Sequence, residues 1–133
     1  ILRLDGEHAV IGHVGDSRVY RLRGGALAQL TIDHSLSAEL ERSGVKPEAD
    51  FAWRHVVTRA LGTQMAEPEV QRAPIQRGDV YLLCSDGLSE VLDPGHIAAL
   101  LSAPAEDACR ALVDAAYLAG SRDNISAIVV RVR

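Results

Sequence analysis

The hydrophobic and polar positions of this chain change their period along the sequence, and each period predicts a different element. In the first thirty residues, short apolar or alternating segments are separated by glycine-containing turns, which predicts strands rather than helices. Four strands are expected, at residues 1–4, 9–14, 19–23 and 26–30. Because Asp5-Gly6 is a strong hairpin signal, we expect these strands to pair in sequence order as an antiparallel meander.

A continuous apolar run, VYLLC at residues 80–84, predicts a strand that is buried on both faces. We therefore expect Leu83→Ala to lower the free energy of unfolding by about 2–5 kcal/mol. The run ends at Ser85-Asp86-Gly87, which would place a carboxylate at the rim of the core. Gly87 would permit a positive φ and a close approach to a ligand. Asp86 is therefore the first candidate for chemistry.

Helical spacing of apolar residues appears in three other segments, at residues 36–43, 94–101 and 104–118. Asp93 followed by Pro94 is typical of a helix N-terminus. An edge strand is expected at residues 68–74, where proline is tolerated, and a last strand at residues 125–132. This order of strands and helices indicates an α+β layered domain.

Composition limits the possible functions. The 133 residues are 47% hydrophobic, with a net charge of −4, which suits one domain or part of one and argues against a nucleic-acid surface. The two cysteines form no C-x-x-C pair, so we expect buried thiols and a cytoplasmic location. No apolar run approaches the length of a membrane span, so this segment is expected to make no membrane contact. The chain begins in the middle of a predicted strand, and we expect it to be a piece of a longer polypeptide.

Three acidic residues lie at loop–strand junctions: Asp16 and Asp86 after predicted strands, and Asp123 before one. Neighbouring antiparallel strands bring such junctions to one rim of a sheet. Carboxylates that converge raise one another's pKa unless a cation is bound. Hard divalent ions such as Mg²⁺ or Mn²⁺ prefer oxygen ligands of this kind, and a pair of them can clamp a phosphoryl group.

Each acid also has a simpler structural explanation. Asp86-Gly87 is a common turn sequence, and Asp123-Asn124 could form local Asx hydrogen bonds. Asp16 could cap Ser17 or pair with the following arginine. Among the histidines, His34 lies in a polar loop and is expected to make a structural hydrogen bond.

Five short motifs in order along the chain resemble the metal-dependent protein phosphatases of the PPM (type 2C) family in its bacterial form. They are VGDSR at 14–18, LTIDHS at 30–35, TRALG at 58–62, LCSDGL at 83–88 and RDNIS at 122–126. The resemblance implies an α+β fold, part of a four-layer α-β-β-α sandwich with mostly antiparallel sheets. It also implies hydrolysis of phosphoserine and phosphothreonine on proteins, by a water activated between two Mn²⁺ or Mg²⁺ ions.

The same resemblance assigns roles to individual residues. Asp86 would bind the metal centre, Asp123 would bind one of its ions, and Asp16 would help to hold the third, weaker ion of bacterial members. No catalytic residue beyond these metal ligands is expected in the chain, and residues 43–56 would form a flap beside the site. The supporting residues would be Gly87, Asn124 and Ser17.

The resemblance also makes residues 1–133 the C-terminal portion of one phosphatase domain. The family's N-terminal half carries a D-G-x-G-G motif with a bridging aspartate, and an arginine that binds phosphate; neither is in this chain. We therefore expect this piece alone to be inactive. Its expected partners, in the full-length protein, are phosphorylated substrates of a serine/threonine kinase.

Two alternatives stay open: a non-catalytic pseudophosphatase or regulatory binding module, and a relative that dephosphorylates anti-sigma-factor antagonists. Asp86 and Asp123 favour an enzyme, because a pseudo-enzyme usually loses such ligands. The GDSR and DHS motifs favour the general bacterial type.

Overall fold

A computed structural model describes residues 1–48, 52–53 and 56–133. The strands are β1 (Leu2–Leu4), β2 (His8–His13), β3 (Arg18–Arg23), β4 (Ala26–Gln29), β5 (Glu69–Pro74), β6 (Val80–Cys84) and β7 (Ala127–Arg131). The helices are α1 (Leu36–Arg42), α2 (Asp86–Ser89), α3 (Pro94–Leu101) and α4 (Ala105–Leu118).

The strands form two antiparallel sheets. Sheet A has the order β1-β2-β5, and sheet B has the order β4-β3-β6-β7. The predicted four-strand meander is therefore wrong, because β2 and β3 lie in different sheets. The chain crosses between the sheets through Gly15, whose φ of 107° is in the left-handed region that favours glycine. The edge strand predicted near Pro74 is present as β5.

Strand β6 lies at the centre of sheet B, paired with β3 on one side and β7 on the other. Its side chains alternate between two cores, so that Leu82 packs toward the helices and Tyr81 packs toward sheet A. Both of these residues are fully buried. The prediction of a strand buried on both faces is confirmed, although Leu83 is only partly buried.

The buried residues define three layers: sheet A, sheet B and the helices that pack on sheet B. Ala9 and Ile11 of sheet A meet Val19 and Tyr81 of sheet B in the core between the sheets. The core under the helices includes, besides strand residues, Leu88, Leu92, Ile97, Leu101, Leu112 and Ala116. The predicted α+β fold with antiparallel sheets is confirmed.

Local sequence signals set the helix boundaries on sheet B. The Asp93 carboxylate accepts a hydrogen bond from the His96 amide at 3.0 Å, and Pro94 occupies the first turn of α3, as predicted. Gly120, with a φ of 88°, follows the end of α4. In the part of the chain that the structure describes, no helix is both long and apolar enough to cross a membrane.

Candidate functional site

The ends of three neighbouring strands meet at one edge of sheet B. Arg18 at the start of β3 pairs with Cys84 at the end of β6, and Cys84 also pairs with Ala127 at the start of β7. The segments before β3, after β6 and before β7 therefore lie at the same edge. These segments carry the three predicted metal ligands, Asp16, Asp86 and Asp123.

Asp16 and Asp86 line one cavity of about 490 Å³ at this edge, which we call the acidic cavity. The pKa of the Asp16 carboxyl is raised, first because burial disfavours its charged form. Its negative neighbours raise that pKa further, and they are Asp86, Asp33 and Glu90. The other lining residues are Arg18, Ser35, Ser37, Ser89 and Val91.

Asp123 is exposed and does not line the acidic cavity, but its loop is fixed against the Asp86 turn. The Ser85 hydroxyl donates to the Asn124 carbonyl oxygen at 2.9 Å and accepts from the Ser126 amide at 3.0 Å. The Asp123 carboxylate accepts a local hydrogen bond from the Asn124 amide at 2.6 Å. The structure thus brings Asp16 and Asp86 together and leaves Asp123 at the side of the cavity.

Gly87 does not adopt the predicted conformation, and its close approach is to the protein backbone. It lies within α2 and its φ is not positive, because the chain continues into a helix at Asp86 and not into a loop. The close approach that the structure shows is to backbone and not to a ligand: a β-carbon on Gly87 would lie 2.6 Å from the Asn124 carbonyl oxygen. Ser17, the remaining supporting residue, lines a different, apolar cavity.

Sequence reasoning did not assign Asp33, Ser89 or Glu90 to the site. Ser89 and Glu90 follow Asp86 by three and four residues, which is the spacing of one helix face. That signal was hidden because Asp86-Gly87 is also typical of a turn. Asp33 comes from the D-H-S segment, which reaches the cavity only through tertiary packing.

Arg18 forms a bidentate pair with Asp33 at the rim of the acidic cavity. Arg18 Nε donates to Asp33 Oδ1 at 3.0 Å, and Arg18 Nη2 donates to Asp33 Oδ2 at 2.7 Å. These hydrogen bonds raise the pKa of Arg18 above its ordinary value. The alternative in which Arg18 pairs with Asp16 therefore does not occur, and Asp16 keeps its negative neighbours.

His34 is buried and makes the structural hydrogen bond expected of it. Its Nδ1 accepts from the Gly15 amide at 3.1 Å, and its own amide donates to the Gly15 carbonyl oxygen at 2.9 Å. Its ring stacks on His13 with centroids 4.3 Å apart. Its Nε2 lies 3.3 Å from Glu69 Oε1, and Arg59 lies 3.7 Å from the same oxygen.

His13, His34 and Glu69 place their ligand atoms within 4.8 Å of one another, which raises the question of a second metal site. A neutral imidazole has one N–H and one acceptor nitrogen. Because Nδ1 of His34 accepts from the Gly15 amide, its proton lies on Nε2, which faces Glu69. That nitrogen has no lone pair for a cation, so in this tautomer the contact with Glu69 is electrostatic and the cluster is not a metal site.

The acidic cavity, in contrast, fits a hard divalent cation. Apart from Arg18, every polar side chain that lines it offers oxygen, the ligand that Mg²⁺ prefers and Mn²⁺ accepts. Among the described residues, the Ser89 hydroxyl is buried there without a hydrogen-bond partner. A cation would offset the repulsion that raises the pKa of Asp16.

The predicted flap is only partly within the described residues. Its C-terminal end is fixed beside His34, because the Leu36 amide donates to the Val56 carbonyl oxygen at 2.9 Å and the Thr58 amide donates to the His34 carbonyl oxygen at 2.8 Å. Residues 49–51 and 54–55 of the predicted flap lie outside the described residues.

Comparison with known proteins agrees with this architecture. The sequence model of a family described as Protein phosphatase 2C matches residues 1–125. The serine/threonine protein phosphatase PstP of Mycobacterium tuberculosis is 38% identical over 125 residues, which are 90% of this chain and 24% of that protein. The protein phosphatase PhpP of Streptococcus pneumoniae is 33% identical over 136 residues, covering 98% of this chain and 55% of its own length.

Solved structures give the same result. The crystal structure of the M. tuberculosis phosphatase PstP/Ppp superposes with a TM-score of 0.92 at 32% identity, covering 99% of this chain and 58% of that chain. A PstP catalytic domain in complex with two manganese ions superposes with a TM-score of 0.86 at 32% identity, covering 99% of this chain and 57% of that one. The chain thus spans little more than half of these crystallised domains.

Proposed function

This chain belongs to the protein phosphatase 2C family, and we propose that the full-length protein hydrolyses phosphoserine and phosphothreonine on proteins in a reaction that depends on Mn²⁺ or Mg²⁺. The observation that carries the proposal is the acidic cavity, where Asp16 and Asp86 converge at the end of the central strand β6. Its substrates would be proteins phosphorylated by a serine/threonine kinase.

In this proposal the carboxylates divide the work of holding the cations. Asp86 would bind the metal centre from the start of α2, and Asp123 would bind it from the adjoining loop, whose backbone packs against Ser85 and Gly87. Asp16, in the segment between β2 and β3, would hold a third, weaker ion. When bound, the ions would provide positive charge to activate a water and to neutralise the phosphoryl group.

We also propose that this chain is the C-terminal portion of the phosphatase domain and needs the remainder for activity. An apolar cavity of about 730 Å³ is lined by residues of both sheets, among them Val70 of β5 and Ile128 of β7. These two residues are 68% and 59% exposed, and Ile1 at the same cavity is 88% exposed. Such an apolar surface is typical of an interface that another segment covers. Turnover of p-nitrophenyl phosphate by purified residues 1–133 in Mn²⁺ would contradict this.

The activity is tested in the full-length protein with a phosphothreonine peptide and saturating Mn²⁺. Asp86→Asn and Asp123→Asn should each lower turnover by orders of magnitude, because an amide is a poorer ligand for a hard cation than a carboxylate. Asp114→Asn, on the exposed face of α4, is the matched control and should leave turnover unchanged.

Each variant should keep a melting temperature close to that of the parent protein, which separates loss of metal from loss of fold. Turnover at the parent rate in either site variant would contradict the assignment. A parent protein that binds the phosphopeptide but releases no phosphate would instead be a pseudophosphatase.

A further inference from the structure

Both backbone polar groups of Gly15, the residue before Asp16, are held by histidines. The Gly15 amide donates to His34 Nδ1 at 3.1 Å. The Gly15 carbonyl oxygen accepts from the His34 amide at 2.9 Å, and His13 Nε2 lies 3.2 Å from the same oxygen. Gly15 itself is buried and has a φ of 107°, so this crossing has few alternative conformations. The orientation of Asp16 therefore depends on contacts made by its neighbour.

The far side of the His34 ring is fixed as well. His34 is 1% exposed, and its Nε2–H faces Glu69 Oε1 at 3.3 Å. Arg59 lies 3.7 Å from the same carboxylate oxygen, which keeps Glu69 directed toward the ring. Stacking on His13 restrains rotation of the imidazole. The ring is therefore held so that Nδ1, and not Nε2, points at the Gly15 amide.

We propose that His34 is a positioning residue for the metal site: by accepting the Gly15 amide through Nδ1, it holds the Asp16 carboxylate in the orientation that binds a cation in the acidic cavity. This inference rests on the proposed function. Loss of the acceptor would leave a buried backbone donor unpaired, which is unfavourable, so the crossing would rearrange to find another partner. Asp16 would move with it.

Two amide substitutions separate the acceptor from the rest of the side chain. In His34→Asn the amide oxygen takes the place of Nδ1 and can still accept from Gly15. In His34→Gln the amide oxygen lies one carbon further out, close to the place of Nε2. The two variants have similar polarity, and both lose the stacking of the aromatic ring. Only the position of the acceptor distinguishes them.

The measurement is Mn²⁺ binding to the full-length protein, followed by the electron paramagnetic resonance of free Mn²⁺. Asp16→Asn identifies the binding step to which Asp16 contributes. His34→Gln should weaken that step by about tenfold or more, the usual effect of removing a group that orients a ligand. His34→Asn should stay close to the wild-type dissociation constant. In saturating Mn²⁺, the KM for p-nitrophenyl phosphate should change little in both.

A wild-type dissociation constant in His34→Gln would overturn the proposal. Equal weakening in both variants would also overturn it, because the acceptor position would then not matter. An ion that is lost in His34→Gln and in His13→Gln, but retained in Asp16→Asn, would make the histidine cluster a metal site of its own and overturn the proposal in a different way.

A measurement on the unaltered protein decides the case in which the variants do not fold. Nitrogen NMR should show His34 with its proton on Nε2. The Gly15 amide and His34 Nδ1 resonances should shift as Mg²⁺ binds at the site to which Asp16 contributes. Resonances that do not respond to Mg²⁺ would overturn the proposal. A protein that binds the ion but hydrolyses no phosphopeptide would refute the proposed function alone, since binding is measured without turnover.

Discussion

The backbone of Gly87 packs so closely on Asn124 that a β-carbon at Gly87 would lie 2.6 Å from the Asn124 carbonyl oxygen. The same hypothetical atom would lie 3.4 Å from the carbonyl carbon of Asp123. Both contacts are with backbone atoms, which cannot rotate away as a flexible side chain can. This contact sets the spacing between the turn that carries Asp86 and the loop that carries Asp123.

Gly87→Ala should therefore push the Asp123 loop away from Asp86. We expect a loss of about 1–3 kcal/mol in the free energy of unfolding, as for other overpacked positions, together with weaker Mn²⁺ binding. Chemical denaturation and Mn²⁺ titration of the full-length protein measure the two effects. Asp114→Asn, on the exposed face of α4, is the control and should leave both values unchanged. Parent-like values for Gly87→Ala would show that the loop moves freely.

The Arg18–Asp33 pair gives a prediction about charge in the acidic cavity. Asp33→Asn leaves the Arg18 guanidinium without its bidentate partner beside Asp16 and Asp86. An uncompensated positive charge there should weaken Mn²⁺ binding by about tenfold, an effect of the size that neighbours of metal ligands usually have. The double variant Arg18→Met with Asp33→Asn should recover much of that loss. Equal weakening in the single and double variants would show that Asp33 acts as a ligand and not through Arg18.

The elements that the sequence predicted well are those with a local signal. The apolar run at Val80–Cys84 can only be a buried strand or a buried helix segment, and its length favours the strand. The Asp93-Pro94 pair marks the start of α3 by its own hydrogen-bonding chemistry. Such signals need no knowledge of distant residues.

The division into two sheets could not be predicted, because it depends on pairs that are distant in the chain. His8 pairs with Pro74, and Leu22 pairs with Val80. The hydrophobic periodicity within one strand carries no information about which distant strand it pairs with. The same limit applies to the site: the positions of Asp16 and Asp86 after strands are local facts, whereas the arrival of Asp33 at their cavity is a consequence of tertiary packing.

Two adjacent leucines of β6 should respond differently to truncation. Leu82 is fully buried under the helices, so Leu82→Ala should lower the free energy of unfolding by about 2–5 kcal/mol. Leu83 is only partly buried and lines the apolar cavity. In residues 1–133, Leu83→Ala should therefore lower the free energy of unfolding by less than Leu82→Ala does. Denaturant titration of both variants tests the order, and a larger loss for Leu83→Ala would contradict it.

Asp79 is the centre of a buried network of hydrogen bonds that bears on stability. Its side chain is 0% exposed. Arg23 donates to both of its carboxylate oxygens at 2.7 Å, and the Gln76 amide donates at 2.8 Å. Arg23 also donates to the Pro74 carbonyl oxygen at 2.9 Å, which links sheet B to the end of β5. The hydrogen bonds from Arg23 lower the pKa of Asp79 below its ordinary value.

This network predicts a defined pH dependence of stability. Because the pKa of Asp79 is lower in the folded protein than the unfolded value of 3.8, its contribution is complete above that pH. It is lost as the pH falls through the folded pKa. Asp79→Asn should lower the free energy of unfolding by about 1.5–3 kcal/mol at neutral pH, the range for hydrogen bonds to a charged group.

The difference in the free energy of unfolding between the parent protein and Asp79→Asn should narrow as the pH is lowered below 3.8, since the unfolded chain then takes up a proton at Asp79 before the folded protein does. Urea titrations at a series of pH values measure this difference directly. Asp114→Asn serves as the control, because its partner Arg110 is 88% exposed and surface pairs contribute little. A difference that stays constant from neutral to acid pH would mean that the Arg23 hydrogen bonds do not stabilise the charged form of Asp79.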